Sequence, residues 1–281
     1  METVSYQNRI AIINDFTGFG RCSLAVEIPV IATLGVECCP LPTSILSNHT
    51  AFSSWFLDDY TEKMLPYIKE WKKLGVSFDG ILTGFLGSER QIAIVKQIIE
   101  EFPKRNGKKT LVIVDPIMGD HGKPYATYTK EMCRQIRQLV EVADIVTPNL
   151  TEACILTETP YKESGWRLQE LSKIAVQLCE MGAKQVVISG ITMGQSIGNI
   201  LCERGKEEIK LLRSKRVGTE RCGTGDIFSS ILAADAVNGV RLEDSVKKAM
   251  KFVKECIILT EQLSIPETNG VCFEYLLKKL K

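Results

Sequence analysis

The run Leu111-Val112-Ile113-Val114-Asp115-Pro116-Ile117-Met118-Gly119-Asp120 joins four apolar residues, three of them β-branched, to an acidic turn. An apolar run this short, with no polar alternation and a turn at its end, reads as a strand buried on both faces inside a parallel sheet. Asp-Pro ends it, because proline cannot donate to a ladder. Outward from this strand the same kind of run recurs at 9–14, 36–40, 80–83, 145–148 and 185–189. Between the runs lie stretches with apolar residues at three- and four-residue spacing, predicting helices over 59–74, 89–102, 130–142 and 167–182; Gly75 and Gly182 suit their C-terminal caps. The alternation predicts an α/β fold with a mostly parallel central sheet and helices on both faces. After residue 189 the pattern changes to two short runs, 197–202 and 208–212, around Glu203-Arg204-Gly205-Lys206, which reads as an antiparallel hairpin at a sheet edge. Closing helices follow at 226–237 and 242–263. No Pro/Ser-rich linker or repeat divides the chain, so 1–281 is expected to be one domain.

Composition narrows the function classes. Apolar residues are 44% and charged residues 25%, which suits a packed globular core. With 35 basic and 34 acidic residues the net charge is +1, so neither a nucleic acid nor an anionic membrane is an expected partner. Residues 10–13 are too short an apolar stretch for a signal peptide or a spanning helix, and a cytoplasmic location is expected. The ten cysteines show no Cys-x-x-Cys spacing and read as reduced, mostly packing residues.

In an open parallel sheet, ligands bind beyond the carboxyl ends of the strands, and the unusual clusters of this sequence fall there. Gly223-Thr224-Gly225-Asp226 opens an apolar helix. Two glycines allow a tight turn with outward N–H groups, the helix N-terminus adds positive charge, and the result is an anion site. Asp226 then stands beside a phosphoryl group and can accept a proton from an attacking hydroxyl. Asp115 and Asp120 offer hard oxygen ligands for Mg²⁺ or its waters. In Thr147-Pro148-Asn149-Leu150-Thr151-Glu152, Asn149 can cap a helix while Glu152 reaches a metal or its water shell; a capping box explains the same spacing without a ligand. Asn14-Asp15-Phe16-Thr17-Gly18-Phe19-Gly20 follows the first strand, and Thr43 to Thr50 is polar in an apolar neighbourhood. His49 alone reads as a structural histidine. Gly84 and Gly87 flank Phe85 at the end of the third strand and permit a ligand near the backbone.

Gly18-Phe19-Gly20, with Glu37 beyond it, imitates a dinucleotide fingerprint, but the third small position is Ser23 and the glycines begin too far past the strand. That weakens a nicotinamide-dependent dehydrogenase. Gly119-Asp120-His121-Gly122-Lys123 matches a P-loop only loosely.

Taken in order, these segments resemble the ribokinase-like superfamily, whose fold has three layers, and within it the pyridoxal kinase family. The resemblance rests on Ser47-Asn48-His49-Thr50, Gly84-Phe85-Leu86-Gly87-Ser88, Asp115 to Asp120, Pro148 to Glu152 and Gly223 to Asp226. The last three are shared with sugar and pyrimidine kinases, and Ser-Asn-His-Thr discriminates. The resemblance implies ATP, Mg²⁺ and transfer of the γ-phosphate to the 5′-hydroxymethyl of a vitamin B6 vitamer. It makes Asp226 the base and the backbone of Gly223, Thr224 and Gly225 the anion hole. Asp15, Ser47, His49, Thr50 and Phe85 fall on the vitamer side. Asp115, Asn149, Glu152 and Ser189 fall on the nucleotide side, with Asp115, Asp120 and Glu152 toward the metal. A monovalent cation is a further candidate of the site, and a homodimer is the family's common assembly; the sequence is silent on both. Two departures stand out: Asp15-Phe16 where many relatives have Ser-His, and Phe85 where several have Tyr. The same chemistry on a hydroxymethylpyrimidine is one alternative, and a non-catalytic nucleotide- or vitamin-binding protein is another.

Overall fold

The structure is a computed structural model describing residues 6–281. In chain order the first elements are β1 (Arg9–Phe19), α1 (Leu24–Thr33), β2 (Glu37–Asn48), β3 (Leu57–Asp59), α2 (Thr61–Lys73), β4 (Gly80–Thr83) and α3 (Glu89–Glu101). Next come β5 (Lys104–Arg105), β6 (Lys108–Lys109), β7 (Leu111–Val114), β8 (Gly119–Asp120), β9 (Lys123–Pro124), α4 (Lys130–Val140) and β10 (Ile145–Val146). The last part holds α5 (Leu150–Thr157), α6 (Leu168–Glu180), β11 (Gln185–Met193), β12 (Ser196–Glu203), β13 (Lys210–Lys215), α7 (Thr224–Val237) and α8 (Leu242–Gln262).

Nine strands form one sheet in the order β13-β12-β11-β10-β7-β4-β1-β2-β3. Neighbours from β2 through β11 run parallel, β12 and β13 add the expected antiparallel hairpin, and β3 adds a second antiparallel edge on the other side. The alternation along each strand sorts the core into two faces. Ala11, Ile13, Ile81, Val112, Val114, Val186 and Ile188 pack with residues of α2 to α6. Ile10, Ile12, Leu82, Ile113 and Val187 pack with α1, α7 and α8. This is the three-layer, ribokinase-like arrangement. Ser88 and Thr129 start α3 and α4 by accepting from the N–H groups of Gln91 and Met132, at 3.2 and 3.0 Å. Among the described residues no helix is long and apolar enough to cross a membrane.

One expectation needs correction. The sequence predicts the first two strands over 9–14 and 36–40, whereas β1 and β2 run on to Phe19 and Asn48 and pair with each other along their whole length across a bulge between Asn14 and Phe16. The paired extension, joined by β3, projects past the ends of β4 and β7. Bulges bend a strand and re-aim its side chains, and this one falls at the switch point between β1 and β4, where the strand order reverses.

Candidate active site

Gly223 is the N-cap of α7 with φ +88° and ψ −10°, and a Cβ there would lie 2.2 Å from the Arg21 carbonyl oxygen. Only glycine meets both demands. Nothing lies within 4 Å of a Cβ built on Gly225, so the turn is open on one side. Thr224 closes it from behind, its hydroxyl donating to the Arg221 carbonyl at 3.0 Å. The loop that touches Gly223 is itself anchored, with Arg21 bonded to Glu274 and to the carbonyl of Asn269.

Asp226, in the first turn of α7, is only 9% exposed. Burial pushes its carboxyl up to about 6, against the Ser23 backbone N–H, which favours the charged form. Asp115, at the end of β7, is pushed up to about 8 by burial and by Asp226, with Ser229 and Thr147 hydroxyls opposing. Two acids side by side, one poised near neutrality, suit proton transfer.

Asn149 and Glu152 form the capping box in full: the Asn149 side chain accepts from the Glu152 N–H at 2.9 Å, and Glu152 Oε2 accepts from the Asn149 N–H at 2.8 Å. Each has a further task. Glu152 Oε1 accepts from the Met118 N–H at 3.1 Å, and Asn149 Nδ2 donates to the Gly119 carbonyl at 2.9 Å. Together they fasten the turn after β7 to the start of α5. Ser189 continues the same edge, its N–H donating to the Pro148 carbonyl at 2.9 Å. Asp120 does not converge with Asp115 and Glu152. It is exposed on the β8–β9 hairpin, where its carboxylate accepts from the His121 N–H. Among the described residues no three His, Cys, Asp or Glu side chains cluster closely enough to hold a metal directly.

The residues expected on the vitamer side separate into two kinds. Phe85 is held in place, its N–H donating to Asn14 Oδ1 at 2.8 Å, its carbonyl accepting from Thr43, and its ring meeting Tyr128 edge-on at 6.2 Å. Asp15 is 6% exposed, and both its oxygens are occupied, by the hydroxyls of Ser23 at 2.6 Å and Thr17 at 2.7 Å. Its carboxylate ties β1 to the start of α1. Both ring nitrogens of His49 are occupied: Nδ1 accepts from the Ala51 N–H at 3.3 Å and Nε2 bonds the Thr268 carbonyl at 2.7 Å. Ser47 bonds Asn48 and accepts from Phe56, fixing the turn into β3, while Thr50 is exposed.

Two further buried residues lie close to these groups. Asn14, fully buried, accepts from both Asp15 and Phe85 and so locks the ends of β1 and β4 together. Glu27 lies buried on α1 behind Asp226. Its signal in the sequence was a single acid inside the apolar run of residues 24–31.

A family model described as phosphomethylpyrimidine kinase matches residues 28–272. The chain is 27% identical over 251 residues, 86% of its length, to the chloroplastic thiamine biosynthetic bifunctional enzyme of Arabidopsis thaliana. It is 30% identical over 207 residues, 70% of its length, to a protein of Caenorhabditis elegans provisionally named a pyridoxal kinase. The chain spans 45% of the plant protein and 61% of the nematode one. Among solved structures, a protein of Bacteroides thetaiotaomicron, provisionally named a phosphomethylpyrimidine kinase and crystallised with pyridoxal, superposes with a TM-score of 0.92 at 33% identity. The superposition covers 98% of this chain and 96% of that one.

Proposed function

The chain belongs to the phosphomethylpyrimidine kinase family, and from that premise we propose that it is an ATP-dependent kinase acting, as one domain, on the 5′-hydroxymethyl group of a vitamin B6 vitamer. The observation that carries the reading is the join of an open, left-handed glycine turn to a buried carboxylate three residues on, Gly223 to Asp226. Vitamin B6 is favoured over hydroxymethylpyrimidine by the relative crystallised with pyridoxal, which covers nearly the whole chain. A binding protein without catalysis would have no use for a general base beside the glycine turn.

In this reading Asp226 accepts the proton of the vitamer hydroxyl as its oxygen attacks the γ-phosphorus, the bond to the bridging oxygen of ADP breaks, and the N–H groups of Gly223 to Gly225 meet the charge on the transferred group. Phe85 presents an apolar ring to the vitamer, and Asn14 fixes where that ring stands. Asn149, Glu152 and Ser189 shape the nucleotide edge. The donor set fits Mg²⁺: Asp115 and Glu152 are buried carboxylates, and each has its proton affinity raised by burial and by a neighbouring acid. They would hold the ion through its waters, and it would supply charge neutralisation at the phosphates. The proposed location is the cytoplasm.

An assay of ADP release against pyridoxal, pyridoxamine, pyridoxine and hydroxymethylpyrimidine tests the proposal. Turnover of at least one B6 vitamer well above the pyrimidine is expected. Preference for the pyrimidine, or no ADP release with any of the four, would overturn it.

A further inference from the structure

Glu27 is 1% exposed, and its Oε2 has no hydrogen-bond partner among the described residues. The same is true of Asn14 Nδ2. Asn14 cannot turn its amide around, because Oδ1 already accepts from the Asp15 N–H at 2.9 Å and the Phe85 N–H at 2.8 Å. Nor can it move toward β4: a Cβ on Gly84 would lie 2.3 Å from its Cγ, so its place there depends on glycine. Its Nδ2 lies close enough to the carboxyls of Glu27 and Asp226 to lower the proton affinity of both, although it forms a hydrogen bond with neither. The charged groups that act on Glu27 most strongly are all acids: Asp226 on α7, Asp115 after β7 and Asp15 on β1. From β2 the facing titratable group is Cys38. A carboxylate with no cation, one amide and three acidic neighbours is a costly thing to bury. As a neutral acid the same side chain is tolerable, and burial with those neighbours does hold its proton well above the ordinary range.

We propose that Glu27 is a positioning residue for phosphoryl transfer that works as a neutral carboxylic acid, holding the Asn14 amide against Asp226 from behind. The inference rests on the kinase reading above and adds a residue to it. A neutral Glu27 leaves Asp226 as the charged partner of Asn14. It also limits the negative charge that an incoming triphosphate must meet.

The test compares wild type with Glu27→Gln and Glu27→Ala. Glu27→Gln copies the neutral acid in shape, and should keep kcat at neutral pH within about threefold and leave the rising limb of the pH profile where it was. Glu27→Ala should lower kcat by about tenfold or more, the loss of the buried side chain that backs Asn14, with vitamer KM changing far less. The infrared spectrum provides a readout independent of turnover. The carbonyl stretch of a protonated carboxylic acid should appear in the wild-type minus Glu27→Gln difference spectrum at pH 7. No such band, a Glu27→Gln enzyme crippled although its melting temperature is unchanged, or a Glu27→Ala enzyme with wild-type kcat would each overturn the proposal. If wild type turns over none of the four substrates while the band is present, the kinase reading fails and the neutral state of Glu27 stands.

Discussion

Asp226 combines burial with a proton affinity close to neutrality, and Asp226→Asn removes only the ability to take a proton. We expect kcat to fall by roughly 10²–10⁴, the usual contribution of a general base, with nucleotide binding nearly unchanged. A variant within threefold of wild type would refute the assignment. Asp15 leads to a different expectation. A free carboxylate at this position would favour the ammonium of pyridoxamine, but its oxygens are taken by Ser23 and Thr17. Asp15→Ser should therefore leave the ratio of kcat/KM for pyridoxamine and pyridoxal unchanged while lowering the melting temperature; a shifted ratio at unchanged stability would restore a contact with the vitamer. These residues show what was legible at this scale. Asp226 was readable because two glycines and a helix start leave an acid few other uses. Asp15, Ser47 and His49 were readable as unusual, yet which partners satisfy them depends on residues as distant as Thr268, and no local spacing encodes that. Glu27 showed only as one acid in an apolar run, and no local rule says what such an acid faces.

At the level of elements, strand cores and helix faces followed from periodicity, since burial on both faces leaves little freedom in composition. The extensions of β1 and β2 did not, because their alternation is interrupted by the bulge and, apart from each other, they pair only with the short β3. The turn after β7 illustrates how an element serves the site. Glu152 holds it through two backbone N–H donors. Glu152→Gln would turn an amide NH₂ toward one of them, leaving a buried donor unpaired at about 1–3 kcal/mol. The variant should melt lower and raise the KM for nucleotide more than that for vitamer. By contrast, Asp115→Asn should raise the Mg²⁺ concentration for half-maximal rate, because among the described residues no backbone N–H holds the buried Asp115 carboxyl. If both variants titrate with Mg²⁺ as wild type does, the metal side has been misassigned. The glycine turn has its own test: Gly223→Ala places a Cβ on the Arg21 carbonyl in a left-handed conformation. Overpacking of this kind costs about 1–3 kcal/mol, and turnover should fall with it.

Across the whole molecule, the acids gathered at one end of the sheet link function to stability. Asp226, Asp115, Glu27 and Glu152 all have their proton affinity raised by burial, the first two to about 6 and about 8. For an acid shifted upward, the folded chain binds the proton more tightly than the unfolded one. Its stabilising effect is complete below the unfolded value near 3.8 and is lost as pH rises through the folded value. From about pH 4 upward, Asp226 until about pH 6 and Asp115 until about pH 8 can each contribute a decline of up to about 1.4 kcal/mol per pH unit in the stability of the ligand-free protein. Acids shifted the other way, such as Asp144 beside Lys184 and Lys109 or Glu243 beside Lys210 and Lys247, lose their contribution only below that window. The ligand-free protein should therefore be more stable at pH 5 than at pH 8, with Asp115→Asn flattening the slope above pH 6 and raising the melting temperature at pH 8. Mg²⁺ with nucleotide, by bringing positive charge to the same edge, should reduce the difference between the two pH values. Thermal melts of wild type and Asp115→Asn across this range, with and without the ligands, decide it. A wild-type melting temperature that rises steadily from pH 5 to 8 would show that these carboxyls are not held protonated in the folded chain. The electrostatic basis given for both Asp115 and Glu27 would then be wrong.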